Sequence, residues 1–485
     1  MLPGEDGKSY AWAEHTRLAN VRSIMANRVP IAGHHLSFVR RWLRWAEVDR
    51  AVAFGISRTV WLSFSGLLTM FLVAIYFTPE IQGYYYTFNS LIAMQVFLEL
   101  GLSQVIIQFA SHEWSKLSLN KDRAIVGDHE ARSRLISLGH MTFLWFIIAA
   151  LLFAIGVGFG GHMFLSGSSL SKNVWSAPWI VLCCLTAVKL ALQPTLVLLE
   201  GCNQVAEVNA CRLIQSIVGS LAMLGGIVMG VGLWVASIGI FMDIVAIVIF
   251  LSARYGAFFI TFLAASIGVK VDWWKEVWPM QGRFALSTIS GYFIFALFTP
   301  VLFRFYGPVA AGQMGMTWTL TTAVTAISSV WRNAKIPYYG MLIARGKFLD
   351  LDILHSRLTR RSVFVACATA AAMWVLCYLS YSLDLTIAKR VLPPLPTGLF
   401  LLTSVLVQLS ISQAVYLRAH KREPFLGLSL IQAALTASST WFLGKQFGPT
   451  GIAVGYLAII LFLVLPFGTA IWRQCRKEWH GIHSS

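Results

Sequence analysis

Lysines and arginines fall in alternate gaps between the long apolar stretches of this chain, and no other feature constrains its fold as strongly. A membrane-spanning helix needs about 20 mostly apolar residues, and about 12 such segments can be read. They cover residues 51–77, 84–110, 135–160, 174–199, 208–229, 232–252, 284–305, 309–331, 363–382, 397–417, 425–443 and 451–471. The arm before them carries Lys8, Arg17, Arg22, Arg28, Arg40, Arg41, Arg44 and Arg50, whereas the gap at 79–83 carries no basic residue. The next gap holds Lys116, Lys121, Arg123, Arg132 and Arg134, and the one after it only Lys172. Farther along, Arg332, Lys335, Arg345, Lys347, Arg357, Arg360 and Arg361 crowd one gap while Lys445 stands alone in another. Short cytoplasmic loops carry the Lys/Arg excess, so both termini are expected in the cytoplasm and the number of spans must be even.

A mean hydropathy of +0.68 with 12% charged residues excludes a soluble chain of 485 residues. The formal charge of +17 follows the topology and forms no separate basic domain. It fits an anionic cytoplasmic leaflet and gives no reason to expect a nucleic acid. The first 50 residues lack the short apolar core of a cleavable signal. None of the 7 cysteines falls in a predicted outer loop, so no disulfide framework is expected. The histidines show no metal-binding spacing, and no cofactor or metal is called for. An apolar run at 255–267 is short for a span and reads as an extension of the sixth helix or as an interfacial helix. Two further segments, 34–49 and 272–279, mix tryptophan with basic residues and read as interfacial anchors.

The two sides of the chain echo each other. The first outer gap reads Phe77-Thr78-Pro79-Glu80-Ile81-Gln82-Gly83 and the corresponding later one Tyr306-Gly307-Pro308-Val309-Ala310-Ala311-Gly312. A long basic loop follows the second span of each half, and a glycine turn precedes the last: Gly230-Val231-Gly232 and Gly448-Pro449-Thr450-Gly451. The expected fold is all-α and polytopic, with two pseudo-symmetric lobes of about six helices around a central cavity. The expected parts are a basic cytoplasmic arm (1–50), an N-lobe (51–252), a cytoplasmic or interfacial linker (253–283), a C-lobe (284–472) and a cytoplasmic tail (473–485).

Several second-half features carry a family resemblance. Trp278-Pro279-Met280-Gln281 leads into the seventh span, Gly307 and Gly312 bracket the next turn, Ala344-Arg345-Gly346 follows Pro337, and Phe447-Gly448-Pro449-Thr450-Gly451 precedes the last span. With these the chain resembles the polysaccharide-exporter branch of the multidrug/oligosaccharidyl-lipid/polysaccharide (MOP) superfamily, the O-antigen and exopolysaccharide repeat-unit flippases, over roughly residues 51–475. The resemblance implies alternating access, a polyprenyl-diphosphate-linked oligosaccharide as cargo, a bacterial inner membrane, and polysaccharide polymerase and export proteins as partners beside the membrane lipids. The long arm before Ala51 departs from that pattern.

An ionisable side chain at the centre of a span costs about 2.5–3.5 kcal/mol on insertion scales, so each is a functional candidate. Arg58 lies about two turns into the first span and Lys189 about four turns into the fourth. Arg212 and Arg283 stand at cytoplasmic entries. Fixed cations facing a watery cavity lower the barrier to a lipid diphosphate, and arginine can grip phosphate oxygens in a fork. These four are the diphosphate-binding candidates, with snorkelling, or an Arg58–Glu99 ion pair, as the alternatives for Arg58 and ordinary topology anchoring as the favoured reading of Arg212 and Arg283. Glu99 and Asp243 are the acidic counterparts: Asp243 either carries a coupling proton or pairs permanently with Lys189. Gln95, Gln104, Gln108, Gln193, Asn209 and Gln215 read either as sugar-binding groups or as interhelical glue.

The function this predicts is translocation of a lipid-linked oligosaccharide with no covalent chemistry and no catalytic residue. Two alternatives remain at this level: an integral-membrane polymerase or ligase, which needs a large outer loop that the chain lacks, and a drug or small-solute antiporter.

Overall fold

The computed structural model describes residues 50–167, 170–263, 268–333 and 335–480, apart from the side chains of residues 283 and 337. Contacts divide the chain into Met1–Ala53 and Phe54–Ser485, and the second unit holds the architecture described below. The predicted interfacial helix at 34–49 lies outside the described residues, as does the end of the apolar run at 255–267.

Among the described residues the regular structure is helical except for one short hairpin. Helix α1 (Arg50–Tyr76) is followed by α2 (Pro79–Glu99), which bends by 44° into α3 (Leu102–Trp114). Next come α4 (His129–Leu165), α5 (Lys172–Gly201), α6 (Val205–Val228) and α7 (Trp234–Arg254). The second half contains α8 (Trp278–Phe295), α9 (Phe298–Asn333), α10 (Ile336–Ala344), α11 (Phe348–Ser382), α12 (Pro394–Ala419), α13 (Leu426–Ile459) and α14 (Leu465–His480). Local chemistry sets the starts. Thr78 caps α2 by accepting from the Ile81 N–H at 3.3 Å, with Pro79 at the first turn, where its missing N–H is not needed. Asp128 caps α4 through the Ala131 N–H at 2.8 Å.

Among the described residues, 9 helical segments are long and apolar enough to cross a membrane, or 10 with the bent α2–α3 pair counted as one span. Two of these segments cross twice. Gly307 (φ 80°) breaks α9 and Gly448 (φ 61°) breaks α13. Phe298 and Trp318, 20 residues apart, meet edge to face with ring centroids 5.1 Å apart, so the chain folds back at Gly307. Likewise Gly444 on one limb of α13 faces Ile452 on the other. Both turns need the left-handed backbone that glycine adopts without strain. Adding these two fold-backs to the 10 gives 12 passes, the even number that the charge pattern requires. Contacts of Gly83 with Pro308 and of Gly448 with Tyr306 bring the turns at Pro79, Gly307 and Gly448 together on what is here the turn side; the opposite helix ends, where Phe348 stacks on His480, form the tail side.

The helices overrun the apolar segments read from sequence: α4 begins at His129, six residues before the segment at 135–160, and α11 at Phe348. The basic loop before α4 contains an antiparallel pair, β1 (Leu117–Leu119) with β2 (Ile125–Gly127), which was not anticipated because three-residue strands carry no usable periodicity. The largest core cluster is built mainly by the first half around Trp175, Trp179, Tyr84 and Phe88. A second cluster gathers around Phe298, Phe400 and Tyr456. Apolar residues such as Ile155, Phe159, Phe442 and Phe462 are more than two-thirds exposed, as a lipid-facing belt requires.

Candidate functional site

The residues that build the site sit on one face of each contributing helix. On α1 they are Leu62, Ser65, Gly66, Thr69 and Met70; on α2 they are Tyr85, Tyr86, Asn89, Ser90 and Ala93. Helix α6 adds Ser216, Gly219, Ser220 and Met223, and α7 adds Ala236, Gly239, Ile240 and Asp243. The second half closes the space with Phe295, Ala296, Thr299, Gly315, Trp318 and Thr319. Together they surround a cavity of about 560 Å³ between the two halves. Nine hydroxyl-bearing side chains and four aromatic rings, two of them tyrosines counted in both groups, share a largely apolar wall with glycine, alanine and aliphatic residues, and among the described residues Asp243 is the one charged residue lining it.

On the turn side α2 and α9 close tightly against each other. Gly83 lies against the backbone of Pro308, and a side chain added at Gly312 would approach the Gly83 nitrogen to 2.9 Å. Gly315 leaves room for the ring of Tyr86. Gln82 bridges the seam, donating from Nε2 to the carbonyls of Gly312 and Arg390, both at 2.9 Å. The recurring Pro-x₃-Gly turns of the two halves therefore meet each other, as equivalent positions near a twofold axis must. Toward the tail side α1 is held loosely: its buried residues, Ser65, Thr69, Val73 and Ala74, all lie in its turn-side half. Trp61 ties it to α6 by donating to the Ser216 carbonyl at 3.0 Å and to Ser220 Oγ at 2.9 Å.

The predicted charges separate into three groups. Lys189 on α5 donates to Asp243 Oδ2 on α7 at 2.5 Å, with the lysine side chain 37% and the aspartate 19% exposed. Gly219 on α6 makes this possible, since any side chain there would collide with Asp243 Oδ1. Arg212 on α6 pairs with Glu200 on α5 at 2.7 Å. Arg58 lies within electrostatic reach of both Arg212 and Asp243, but its buried Nε has no hydrogen-bond partner and no described carboxylate forms an ion pair with it. Arg58 and Arg212 stand about a turn nearer the tail side than the Lys189–Asp243 pair. Among the described residues the two ion pairs cancel and Arg58 is left as a cation without a carboxylate partner beneath the cavity. Glu99 accepts from Ser103 Oγ at 2.5 Å and is not paired with Arg58, so that alternative is not realised. The side chain of Arg283 lies outside the described residues.

None of Gln95, Gln104, Gln108, Gln193, Asn209 and Gln215 lines the cavity. Sequence reasoning picked out amides and missed the hydroxyls and rings. The overlooked signal was spacing: Ser65 and Thr69, Tyr85 and Asn89, and Ser216 and Ser220 each recur at one helical turn. Among the described residues no group of three or more His, Cys, Asp and Glu could hold a metal ion.

No known family and no curated protein matches the chain by sequence. Solved structures do match. An inward-facing multidrug resistance MATE family transporter of the MOP superfamily is 13% identical, over 88% of this chain and 96% of that one, with a TM-score of 0.60. Lipid II flippase MurJ in an inward closed conformation is 14% identical, over 88% and 90%, with a TM-score of 0.59. A MOP superfamily transporter from Pyrococcus furiosus, described as having a binding pocket of reverse polarity, is 12% identical, over 90% and 98%, with a TM-score of 0.52. The chain is thus an all-α, multi-pass membrane protein with the fold of the MOP superfamily.

Proposed function

We propose that this protein is an alternating-access transporter that moves a polyprenyl-diphosphate-linked oligosaccharide from the cytoplasmic to the outer leaflet of a bacterial inner membrane. The observation that carries this reading is the cavity between the halves, its wall bearing hydroxyls and aromatic rings, with Arg58, which has no carboxylate partner among the described residues, beneath it. Sugar rings stack on faces such as Trp318, Tyr85 and Tyr86, and their hydroxyls exchange hydrogen bonds with Asn89, Ser220 and Thr319. A diphosphate entering from the tail side meets Arg58 first, while Lys189 and Arg212, already paired, add charge only when their partners yield. The halves 51–252 and 284–472 act as the moving lobes, joined by the linker at 253–283. The tight α2–α9 seam and the loose tail-side half of α1 favour a resting state open toward the cytoplasm. Both termini are cytoplasmic, and the chemistry is binding and release only. Polysaccharide polymerase and export proteins act on the delivered repeat unit.

Deleting the gene should leave undecaprenyl-diphosphate-linked repeat units on the cytoplasmic face. Normal amounts of unpolymerised intermediate outside would refute the reading and favour a polymerase.

A second reading rests on a different observation. Among the described residues Asp243 is the one charged residue of the cavity wall, which it shares with four aromatic rings; were a cationic amphiphile to displace Lys189 from it, the wall would suit such a cargo. Efflux of such compounds by the reconstituted protein, abolished by Asp243→Asn, would favour it.

A further inference from the structure

On the tail side, far from the central cavity in the chain's contacts, a groove of about 520 Å³ opens between α11, α12 and α14. Thr359 and Arg360 form one wall, Leu409 and Gln413 the second, and Trp472 the third. Three polar atoms here are covered and have no protein partner: Thr359 Oγ1, Trp472 Nε1 and Gln413 Oε1. They come from three different helices. Two are donors. The amide of Gln413 bonds to Thr469 Oγ1 at 2.9 Å, and because a hydroxyl both donates and accepts, a flipped amide keeps that bond and turns a third donor into the groove.

The charge of the groove is equally one-sided. Asp352, one turn before it on α11, is already satisfied by Arg476 at 2.7 Å and by the Tyr416 hydroxyl at 2.6 Å. Arg476 in turn stacks over Trp472 at 5.5 Å, which fixes the indole. Arg360 has no carboxylate partner among the described residues, and its one side-chain hydrogen bond there is from Nε to the Ser356 carbonyl at 3.4 Å. Its terminal nitrogens are free for a ligand. Position completes the argument. Arg357, Arg360 and Arg361 are the last charges of α11 before an uncharged run to Ser382, which places the groove at the headgroup level. One turn deeper Phe364 is 74% exposed and offers a surface for an acyl chain.

We propose that this groove binds the headgroup of an anionic phospholipid, with the phosphate held by Arg360, Thr359 and Trp472 and the acyl chains along Phe364. A zwitterionic headgroup would bring a second cation beside Arg360 and binds poorly. The site is independent of the cargo cavity.

The test uses the full chain in detergent, with dioctanoyl phosphatidylglycerol as the probe and thermal stabilisation as the readout. The lipid should stabilise the wild type, dioctanoyl phosphatidylcholine should not, and Arg360→Gln should weaken the apparent affinity about tenfold, as loss of a charged hydrogen bond does. Trp472→Phe, which keeps an aromatic ring but removes the indole N–H, should weaken it in the same direction, and provides the answer if Arg360→Gln does not fold. Arg361→Gln, exposed on the same helix and outside the groove, should bind like the wild type. Equal weakening by Arg360→Gln and Arg361→Gln would mean diffuse surface charge and overturn the site. Equal stabilisation by inorganic phosphate would also overturn it, since the lipid would then be irrelevant.

Discussion

Lys189 and Asp243 show what a charge inside a membrane protein must do to persist: each meets its opposite, at 2.5 Å. The partial exposure of both side chains moderates the cost of breaking the pair. Asp243→Asn or Lys189→Gln alone should therefore cost about 1–2 kcal/mol, less than a fully buried pair. The double variant should regain expression and melting temperature. If it also regains transport, the pair is structural and drops out of the mechanism. Among the described residues Arg58 has no such partner, so Arg58→Ala should leave folding intact while abolishing translocation; Arg58→Lys should retain part of it only if a point charge suffices. Transport at wild-type rate by Arg58→Ala would remove it from the cargo path. Charges like these were legible in the sequence because each interrupts an apolar run, and even the Lys189–Asp243 pairing could be anticipated from depth. Glu200 was not, because a carboxylate at a helix end looks like an ordinary loop residue until Arg212 is seen beside it. The hydroxyls of the cavity wall were invisible for a related reason. Serine and threonine can satisfy themselves on their own helix, as Thr319 does with the Gly315 carbonyl, and so give no clue to the direction they face.

At the scale of elements, the α2–α9 seam is the proposed gate at one end of the cavity. It depends on backbones in contact, so bulk is its weak point. Gly312→Val should cost about 1–3 kcal/mol by overpacking and push the two helices apart. A cysteine placed at Thr69 on the cavity wall should then react faster with a reagent added on the turn side; an unchanged rate would mean that the seam is not the gate. The tail helix α14 offers a pH test. Burial holds His420 below its ordinary value, with Arg422 acting in the same direction against the opposing influence of the Tyr416 carbonyl and Asp352. His420 Nε2 meets His480 Nε2 at 3.2 Å, so one ring must donate and the other accept. A histidine depressed in the folded state contributes stability that is present above its unfolded value, near 6.5, and lost as pH falls through the folded one. Protection of the amides at 475–480, taken relative to intrinsic exchange at each pH, should therefore be full at about pH 7.5 and fall as the pH drops below about 6.5. The reverse trend would contradict the docking geometry. The seam was half legible: the recurring Pro-x₃-Gly turns pointed to duplication, but only the fold reveals that the two copies touch.

For the whole molecule, the apolar segments were enough to indicate an all-α multi-pass membrane protein, and the rhythm of basic loops predicts an even number of spans, since each excess of arginine is expected on one side of the membrane. Neither signal fixed helix ends, because helices such as α11 run on through polar sequence once packing supports them. The orientation itself is testable. Cysteine at Asn173, exposed at the start of α5, should be labelled from outside the cell, and cysteine at Arg345 should not. Labelling of Arg345 from outside would invert the topology and, with it, the direction of transport. The most direct measurement of the central claim is translocation itself. Proteoliposomes carrying the purified chain and an undecaprenyl-diphosphate-linked oligosaccharide would be followed by a membrane-impermeant glycosidase that digests only outward-facing sugar. The protein should carry a protected pool to the digested face, and Arg58→Ala at equal incorporation should not. A protected pool that stays as large as in protein-free vesicles, with the wild-type chain correctly inserted, would contradict the account.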